Sequence, residues 1–198
     1  MSARTPASDR PAYVIGSGPS LRGFDFDALP DGCRIGANKS GWLAGCDILV
    51  TVDRNFHRNF RQEIETFPGE VFAVFTGARE EYPGVTYWEF SREEFSERHG
   101  VLCGLNSGFA ALNLAFLLGY REIALLGFDF KWDGDRSHFH DGYSRQTRHV
   151  DRQLQNWAVS FRHAAKVLEA HDVRVTNFVG VSGSRLRVFP TAPLEELT

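Results

Sequence analysis

Residues 12–20 read AYVIGSGPS, in which four apolar residues precede two glycines, a proline and two serines. A short continuous apolar run that ends in such a turn is typical of a buried strand. Pro19 suits the first turn of a helix, because its missing N–H would have no acceptor there. The stretch therefore predicts a strand, a tight glycine turn and a helix that begins near Pro19.

Further apolar runs repeat this pattern along the chain. They lie at 33–37, 47–52, 71–75, 123–127 and 173–177, with a short edge strand expected at 84–90. The run at 123–127 is the most apolar and is predicted to be central. Helices are predicted at 106–118, where Asn106 or Ser107 is the cap and Gly119 the stop, and at 148–170.

Strands that alternate with helices are typical of an α/β fold with a mostly parallel sheet. We therefore expect a single Rossmann-like domain over residues 11–198, with helices on both faces of the sheet. Residues 1–10 are polar and are expected to be a disordered N-terminus.

The composition limits the classes of function. The chain has 198 residues with 22 basic and 25 acidic side chains, a net charge of −3, which argues against binding to duplex nucleic acid. Its three cysteines, Cys33, Cys46 and Cys103, are widely spaced, so we expect free thiols in a reducing, cytoplasmic environment. Neither a signal peptide nor a transmembrane segment is expected. The sequence leaves open whether the chain forms a homo-oligomer.

Polar residues follow three of the predicted strands, namely Asn38, Asp53 and Asp129. Ligands of parallel α/β sheets bind beyond the carboxyl ends of the strands, where these side chains would meet. The helix that opens with Asn106-Ser107-Gly108 would direct its free amides to the same crevice. Asx residues also favour strand ends for local reasons, so a purely structural role is the alternative.

The glycine turn Gly16-Ser17-Gly18 would let a phosphate approach the backbone closely. The dinucleotide fingerprint requires a third glycine, where this chain has Leu21, and an acidic residue after the second strand, where it has Asn38. The turn therefore favours a mononucleotide over NAD. A strand-to-helix turn that binds no ligand is the alternative.

Residues 133–141 read DGDRSHFHD and combine two histidines with acidic residues and one arginine. A histidine titrates near neutral pH, so His138 or His140 can act as a general base, and Arg136 can meet a phosphate. The His-x-His pair with a nearby aspartate is also a plausible divalent-metal site. A solvated polar loop is the third interpretation.

These motifs form an ordered series over roughly residues 12–190. The members of the series are the stretch 13–21, Asn38, the cap at 106–108, the turn LGYREI at 118–123, the GFD at 127–129 and the DRSH at 135–138. The series resembles bacterial sialyltransferases of the Campylobacter lipooligosaccharide type, glycosyltransferase family 42. It also resembles the wider DUF115 group, which includes archaeal 6-hydroxymethylpterin diphosphokinase-like proteins and the core of Maf flagellin glycosyltransferases.

The resemblance implies a Rossmann-like fold that binds a nucleotide-sugar donor, such as a CMP-sugar, and transfers the sugar with inversion to a glycan or other hydroxyl compound. It implies no metal requirement and a loop histidine as the base, with His140 favoured over His138. The implied catalytic residues are His140, His138, Asp129 and Arg136. The expected nucleotide pocket comprises Gly16, Ser17, Gly18, Pro19, Ser20, Asn38, Asp53, Asn106, Ser107, Gly108, Phe128, Lys131 and Tyr143.

The chain departs from the sialyltransferase pattern near the leaving group. Lys131 follows Phe130 where the family has tyrosines, and only Tyr143 is nearby, so Lys131 or Arg136 would stabilise the phosphate by charge. The long lid between Asp129 and the loop histidine is absent from this sequence. Two alternatives stay open. One is a non-catalytic nucleotide-binding module, and the other is diphosphate transfer from ATP with Mg²⁺ held by Asp129, Asp133 and Asp135.

Overall fold

The structure, a computed structural model, describes residues 10–75, 81–91, 95–141 and 148–197, with the backbone alone for 148–150. Residues 1–9 of the N-terminus expected to be disordered, and Tyr143, lie outside these residues. The strands are β1 (Ala12–Ile15), β2 (Cys33–Ala37), β3 (Ile48–Thr51), β4 (Glu70–Ala73), β5 (Val85–Tyr87), β6 (Glu89–Ser91), β7 (Val101–Cys103), β8 (Glu122–Leu126), β9 (Arg174–Val179) and β10 (Thr191–Pro193).

The helices are unequal in length. They are α1 (Ser40–Leu43), α2 (Arg54–Asn59), α3 (Arg61–Glu65), α4 (Ser107–Leu117) and α5 (Arg148–Ala170), with 3₁₀ turns at Pro19–Leu21, Phe26–Ala28 and Leu194–Leu197. Both long helices were expected at these positions, and Gly119, with φ 91°, ends α4 as predicted. The prediction of a helix after the glycine turn is wrong, because the chain forms a single 3₁₀ turn there and adopts an extended conformation at Arg22.

The main sheet has eight strands in the order β10-β9-β8-β1-β2-β3-β4-β5, and β6 pairs with β7 in a second small sheet. Every described strand pair is parallel, which confirms the predicted α/β class. The edge strand expected at 84–90 is divided between β5 and β6. Strand β8, predicted to be central, lies between β9 and β1, while β1 and β2 occupy the middle.

The order of the strands creates a switch point beside β1. The chain runs outward from β1 to β5 on one side and then returns to β8 on the other side of β1. Ile15, the last residue of β1, pairs with Gly36 on one side and Leu126 on the other. Crevices form at the carboxyl ends of strands that diverge in this way, and they hold the ligands of open α/β sheets.

Each face of the sheet packs on its own layer. Val14 of β1 belongs to the core that includes residues of α4 and α5, whereas Tyr13 and Ile15 point to the opposite layer. Helix α4 is apolar on nearly all sides and almost fully buried, as expected for a helix covered by both the sheet and α5. The second face is covered by short helical turns. Among the described residues, no helix combines the length and apolarity needed to cross a membrane.

Phe161 attaches α5 to this core. Its side chain is 0% exposed, and its ring contacts Phe109 of α4 at a centroid distance of 4.8 Å and Phe130 at 5.5 Å. Phe161 therefore fixes α5 relative to both α4 and the segment that follows β8.

Replacing Phe161 with alanine is expected to lower the free energy of unfolding by about 3–5 kcal/mol, because it empties a fully buried aromatic site. Urea denaturation measures this loss. Val159→Ala on the same helix is the control, since Val159 is 52% exposed and should change stability by no more than about 0.5 kcal/mol. Equal effects of the two substitutions would contradict the packing described.

Candidate functional site

A cavity of about 340 Å³ opens at the carboxyl ends of β1, β2, β3 and β8. Eleven of the residues predicted from the sequence lie on its wall: Gly16, Ser17, Gly18, Asn38, Asp53, Asn106, Ser107, Gly108, Phe128, Lys131 and His138. The structure therefore brings together side chains and backbone from four strand ends and the start of α4. Pro19, Ser20, Asp129, Arg136 and His140 do not lie on this wall.

The glycine turn is packed against the end of β8. The amides of Gly16 and Gly18 donate to the carbonyls of Leu126 and Gly127, both at 2.8 Å. A Cβ on Gly16 would lie 2.7 Å from the Gly127 oxygen, and one on Gly18 would lie 2.4 Å from Asp129 Oδ2. Glycine is required here by close backbone packing, and these two amides are already engaged, so the turn offers a ligand less than the sequence suggests.

Asp129 lies beneath the turn and is 1% exposed. Its two carboxylate oxygens accept hydrogen bonds from the Ser20 amide and the Ser20 hydroxyl, both at 2.8 Å. Burial raises the pKa of Asp129, while the two bonds from Ser20 act in the opposite direction. This geometry makes Asp129 a residue that positions the turn, because its carboxylate faces Ser20 instead of the cavity.

The backbone after β8 is strained where it forms the cavity wall. Gly127 has φ 70° and Phe130 has φ 50°, a left-handed conformation that is rare for an aromatic residue. Phe130 is held there by its packing on Phe161 and by Arg185, whose Nη1 donates to its carbonyl at 3.3 Å. The reversal directs Phe128, Phe130 and Lys131 toward the cavity.

The first turn of α4 forms one wall of the cavity. Asn106 caps the helix, with Oδ1 accepting from the Phe109 amide at 2.9 Å, and the amides of Ser107 and Gly108 have no intrahelical acceptor. Within the described part of the chain, Asn106 Nδ2 is buried without a hydrogen-bond partner. Buried donors are nearly always satisfied in proteins, so this wall is suited to an acceptor-rich ligand.

Asn38 is linked to this helix by a short hydrogen-bond chain. Ser107 Oγ donates to Asn38 Oδ1 at 2.9 Å and accepts from the Val52 amide at 3.1 Å. Asn38 lines the cavity, and because this bond engages its Oδ1, the group of its side chain that remains for a ligand is the donor Nδ2. Asp53 lies beside it but also caps α2, accepting from the amides of Asn55 and Phe56.

The two loop histidines occupy different positions. His138 lies on the cavity wall, and its Nδ1 is 2.6 Å from Ser137 Oγ. The His140 ring is 5.6 Å from it, and its Nδ1 is 3.1 Å from the Asp141 carbonyl. Burial, with His140 as a smaller cause, lowers the pKa of His138 to about 4, and burial also lowers that of His140. Both rings are therefore neutral at pH 7, as a base must be.

The charged residues of the loop also separate. Lys131 lies on the cavity wall, and its Nζ donates to the Ser182 carbonyl. Arg136 Nη1 lies 3.6 Å from Asp141 Oδ1. The backbones of Asp133 and Arg136 form two hydrogen bonds with each other, which close a turn that contains Gly134.

Asp133 and Asp135 are exposed while Asp129 is buried. In the described ranges no three His, Cys, Asp or Glu side chains form a group that could hold a metal ion, so the suggested Mg²⁺ set is not brought together.

Several wall residues were not expected from the sequence. They are Ala37, Gly127, Phe130, Ser137, Gln153, Leu154 and Trp157. Trp157 shares an apolar stripe of α5 with Leu154 and Phe161, and it is half-buried and lines the cavity. The stripe by itself predicts a core position for Trp157, and no local signal in the sequence shows that this part of the helix lines the cavity.

Comparison with known proteins supports the fold. No protein-family model matches the chain, and no curated protein sequence matches it significantly. The solved structure of the Maf glycosyltransferase from Magnetospirillum magneticum AMB-1 is similar, with a TM-score of 0.58 and 16% identity, over 97% of this chain and 34% of that one. The chain thus spans about a third of that protein's length. The likeness supports a glycosyltransferase-like fold, whereas the family membership and the activities that the motif series implies stay predictions.

Gly18→Ala is expected to lower the free energy of unfolding by about 1–3 kcal/mol, because the added Cβ overlaps Asp129 and the Gly127 carbonyl. Chemical denaturation measures it. Ser17→Ala is the control, since it loses only the 2.9 Å bond to Ser40 Oγ and should cost no more than about 1 kcal/mol. A Gly18→Ala variant as stable as the wild type would contradict the close packing.

The lowered pKa of His138 predicts that the stability of the folded chain depends on pH. Its pKa is about 4 in the folded chain, below the ordinary histidine value of 6.5 that the unfolded chain keeps, so the unfolded chain binds the extra proton between these values. The free energy of unfolding should fall as the pH drops through this window. His138→Gln should reduce that fall by at most about 3 kcal/mol in a pH series of denaturation curves. Identical pH slopes would show that His138 is not held neutral.

Proposed function

We propose that this chain is the donor-binding and catalytic core of a nucleotide-sugar-dependent glycosyltransferase. The observation that supports it best is the cavity at the switch point, which is lined by the first turn of α4 with its free amides, by Lys131 and by a neutral histidine, His138. The fold likeness to a Maf glycosyltransferase and the motif series point in the same direction.

The phosphate of the donor is assigned to the start of α4. The amides of Ser107 and Gly108 and the positive end of the helix dipole favour an anion there. Asn106 Nδ2 supplies a further donor, and the Lys131 ammonium adds positive charge to the same cavity. These groups would stabilise the nucleotide phosphate as it leaves.

The nucleoside is assigned to the remaining walls. Trp157, Phe128 and Phe130 offer aromatic and apolar surface, and Asn38 offers an oriented donor. Cavities of this size and mixed polarity are typical of small-molecule sites. The motif series makes a CMP-sugar the first donor to test.

His138 is the proposed base, in place of His140, because His138 lies on the cavity wall. The acceptor hydroxyl gives its proton to the imidazole, its oxygen bonds to the anomeric carbon, and the bond from that carbon to the phosphate oxygen breaks. Direct displacement of this kind inverts the configuration. The negative charge of a bound phosphate would raise the pKa of His138 from its low value and make it a better base.

A thermal-shift screen of nucleotides and nucleotide sugars, with and without EDTA, tests the donor assignment. A nucleotide that binds the folded chain should raise the melting temperature. Turnover of the identified donor is then compared in His138→Gln, His140→Gln and the exposed control His163→Gln. We expect His138→Gln to lose about 100-fold or more in kcat while the donor still binds.

Three results would contradict this proposal. The first is the absence of stabilisation by any nucleotide. The second is full turnover by His138→Gln together with loss in His140→Gln, which would return the role of base to His140. The third is transfer of diphosphate instead of sugar, abolished by EDTA, which would favour the diphosphokinase-like alternative.

A further inference from the structure

A second recess lies along the outer side of α5, away from the nucleotide cavity. It has a volume of about 630 Å³ and lies between α5 and the segment 185–188. We call it the α5 groove, and its lining residues are Gln155, Ala158, Val159, Arg162, Ala165, Lys166, Glu169, Arg185, Arg187 and Val188. None of these residues lines the nucleotide cavity, so the groove is a separate surface.

The rim of the groove is strongly basic although the chain as a whole has a net charge of −3. Arg162, Lys166 and Arg187 are exposed, and none of them forms an ion pair with another described residue. Arg185 is already engaged, with Asp151 at 2.7 Å. Glu169 is the acidic member of the described lining, so these three cations face one carboxylate.

The floor of the groove is apolar. Ala158 and Ala165 line its base together with Val159 and Val188, and Val159 is 52% exposed, so apolar surface is accessible between the cations. An apolar floor with a charged rim is the arrangement found in protein interaction surfaces.

The groove is also elongated. Ala165, Glu169 and Val188 are shared with an adjoining recess of about 660 Å³ that continues along β9 to Pro190. A long trough suits a chain molecule better than a compact metabolite. The described lining of the α5 groove contains no aromatic side chain on which a base could stack, which disfavours single-stranded nucleic acid.

We propose that the α5 groove docks an acidic polypeptide segment of a partner protein. Carboxylates of the segment pair with Arg162, Lys166 and Arg187, and an apolar side chain lies on the floor beside Val159. Exposed ion pairs are individually weak, so the contact is transient and sensitive to salt. This inference does not depend on the proposed glycosyl transfer.

Fluorescence anisotropy with a labelled peptide made only of glutamate and valine tests the inference on the full chain. The wild type should bind it, and high salt should weaken the binding. The triple variant Arg162→Glu, Lys166→Glu and Arg187→Glu should bind about tenfold or more weakly. The matched control reverses three exposed arginines elsewhere, Arg22→Glu, Arg98→Glu and Arg121→Glu, and should bind as the wild type does.

Other outcomes would overturn the inference. They are no binding of the acidic peptide by the wild type, equal loss in both triple variants, or equal binding of a lysine–valine peptide. Tighter binding of a single-stranded oligonucleotide, lost in the groove variant, would instead identify a nucleic-acid surface. Circular dichroism spectra, expected to be the same in all three proteins, check that the variants are folded.

Discussion

The geometry of the site depends on the contact between the turn after β1 and the end of β8. Asp129 is almost fully buried, and its carboxylate accepts hydrogen bonds from both the amide and the hydroxyl of Ser20. The amides of Gly16 and Gly18 donate to backbone carbonyls at the end of β8. No room is left for a Cβ at either glycine. This contact joins the two sides of the switch point, so the cavity has a rigid base from which the strained segment 127–130 can direct Lys131 inward.

The chemistry of the cavity follows from this constraint. Because the glycine turn uses amides to hold β8, the free donors of the site come from the start of α4, where Asn106 is the cap and Ser107 orients Asn38. The charged and titratable groups come from the segment after β8. The start of α4 is therefore suited to an anion, and the loop after β8 supplies a neutral histidine to the same cavity.

Much of this could be predicted from the sequence, because burial and periodicity are local signals. The strands at 12–15 and 122–126 and the bounds of α4 and α5 follow from apolar runs, the Asn106 cap and the stop at Gly119. The structural role of the glycine turn could not be predicted, since Asp129, which binds Ser20 directly after the turn, lies 109 residues from Ser20 in the sequence. Likewise, the stripe on α5 does not reveal whether Trp157 packs on the sheet or extends beyond it over a cavity.

The most direct test of the central claim is hydrogen exchange, measured by mass spectrometry, with and without the nucleotide that gives the largest thermal shift. We predict that bound nucleotide slows exchange in the segments around 106–109 and 127–131, while the outer face of α5 near Arg162 is unchanged. Exchange that is unaffected around 106–109, or slowed only along α5, would contradict the assignment of the nucleotide to this cavity.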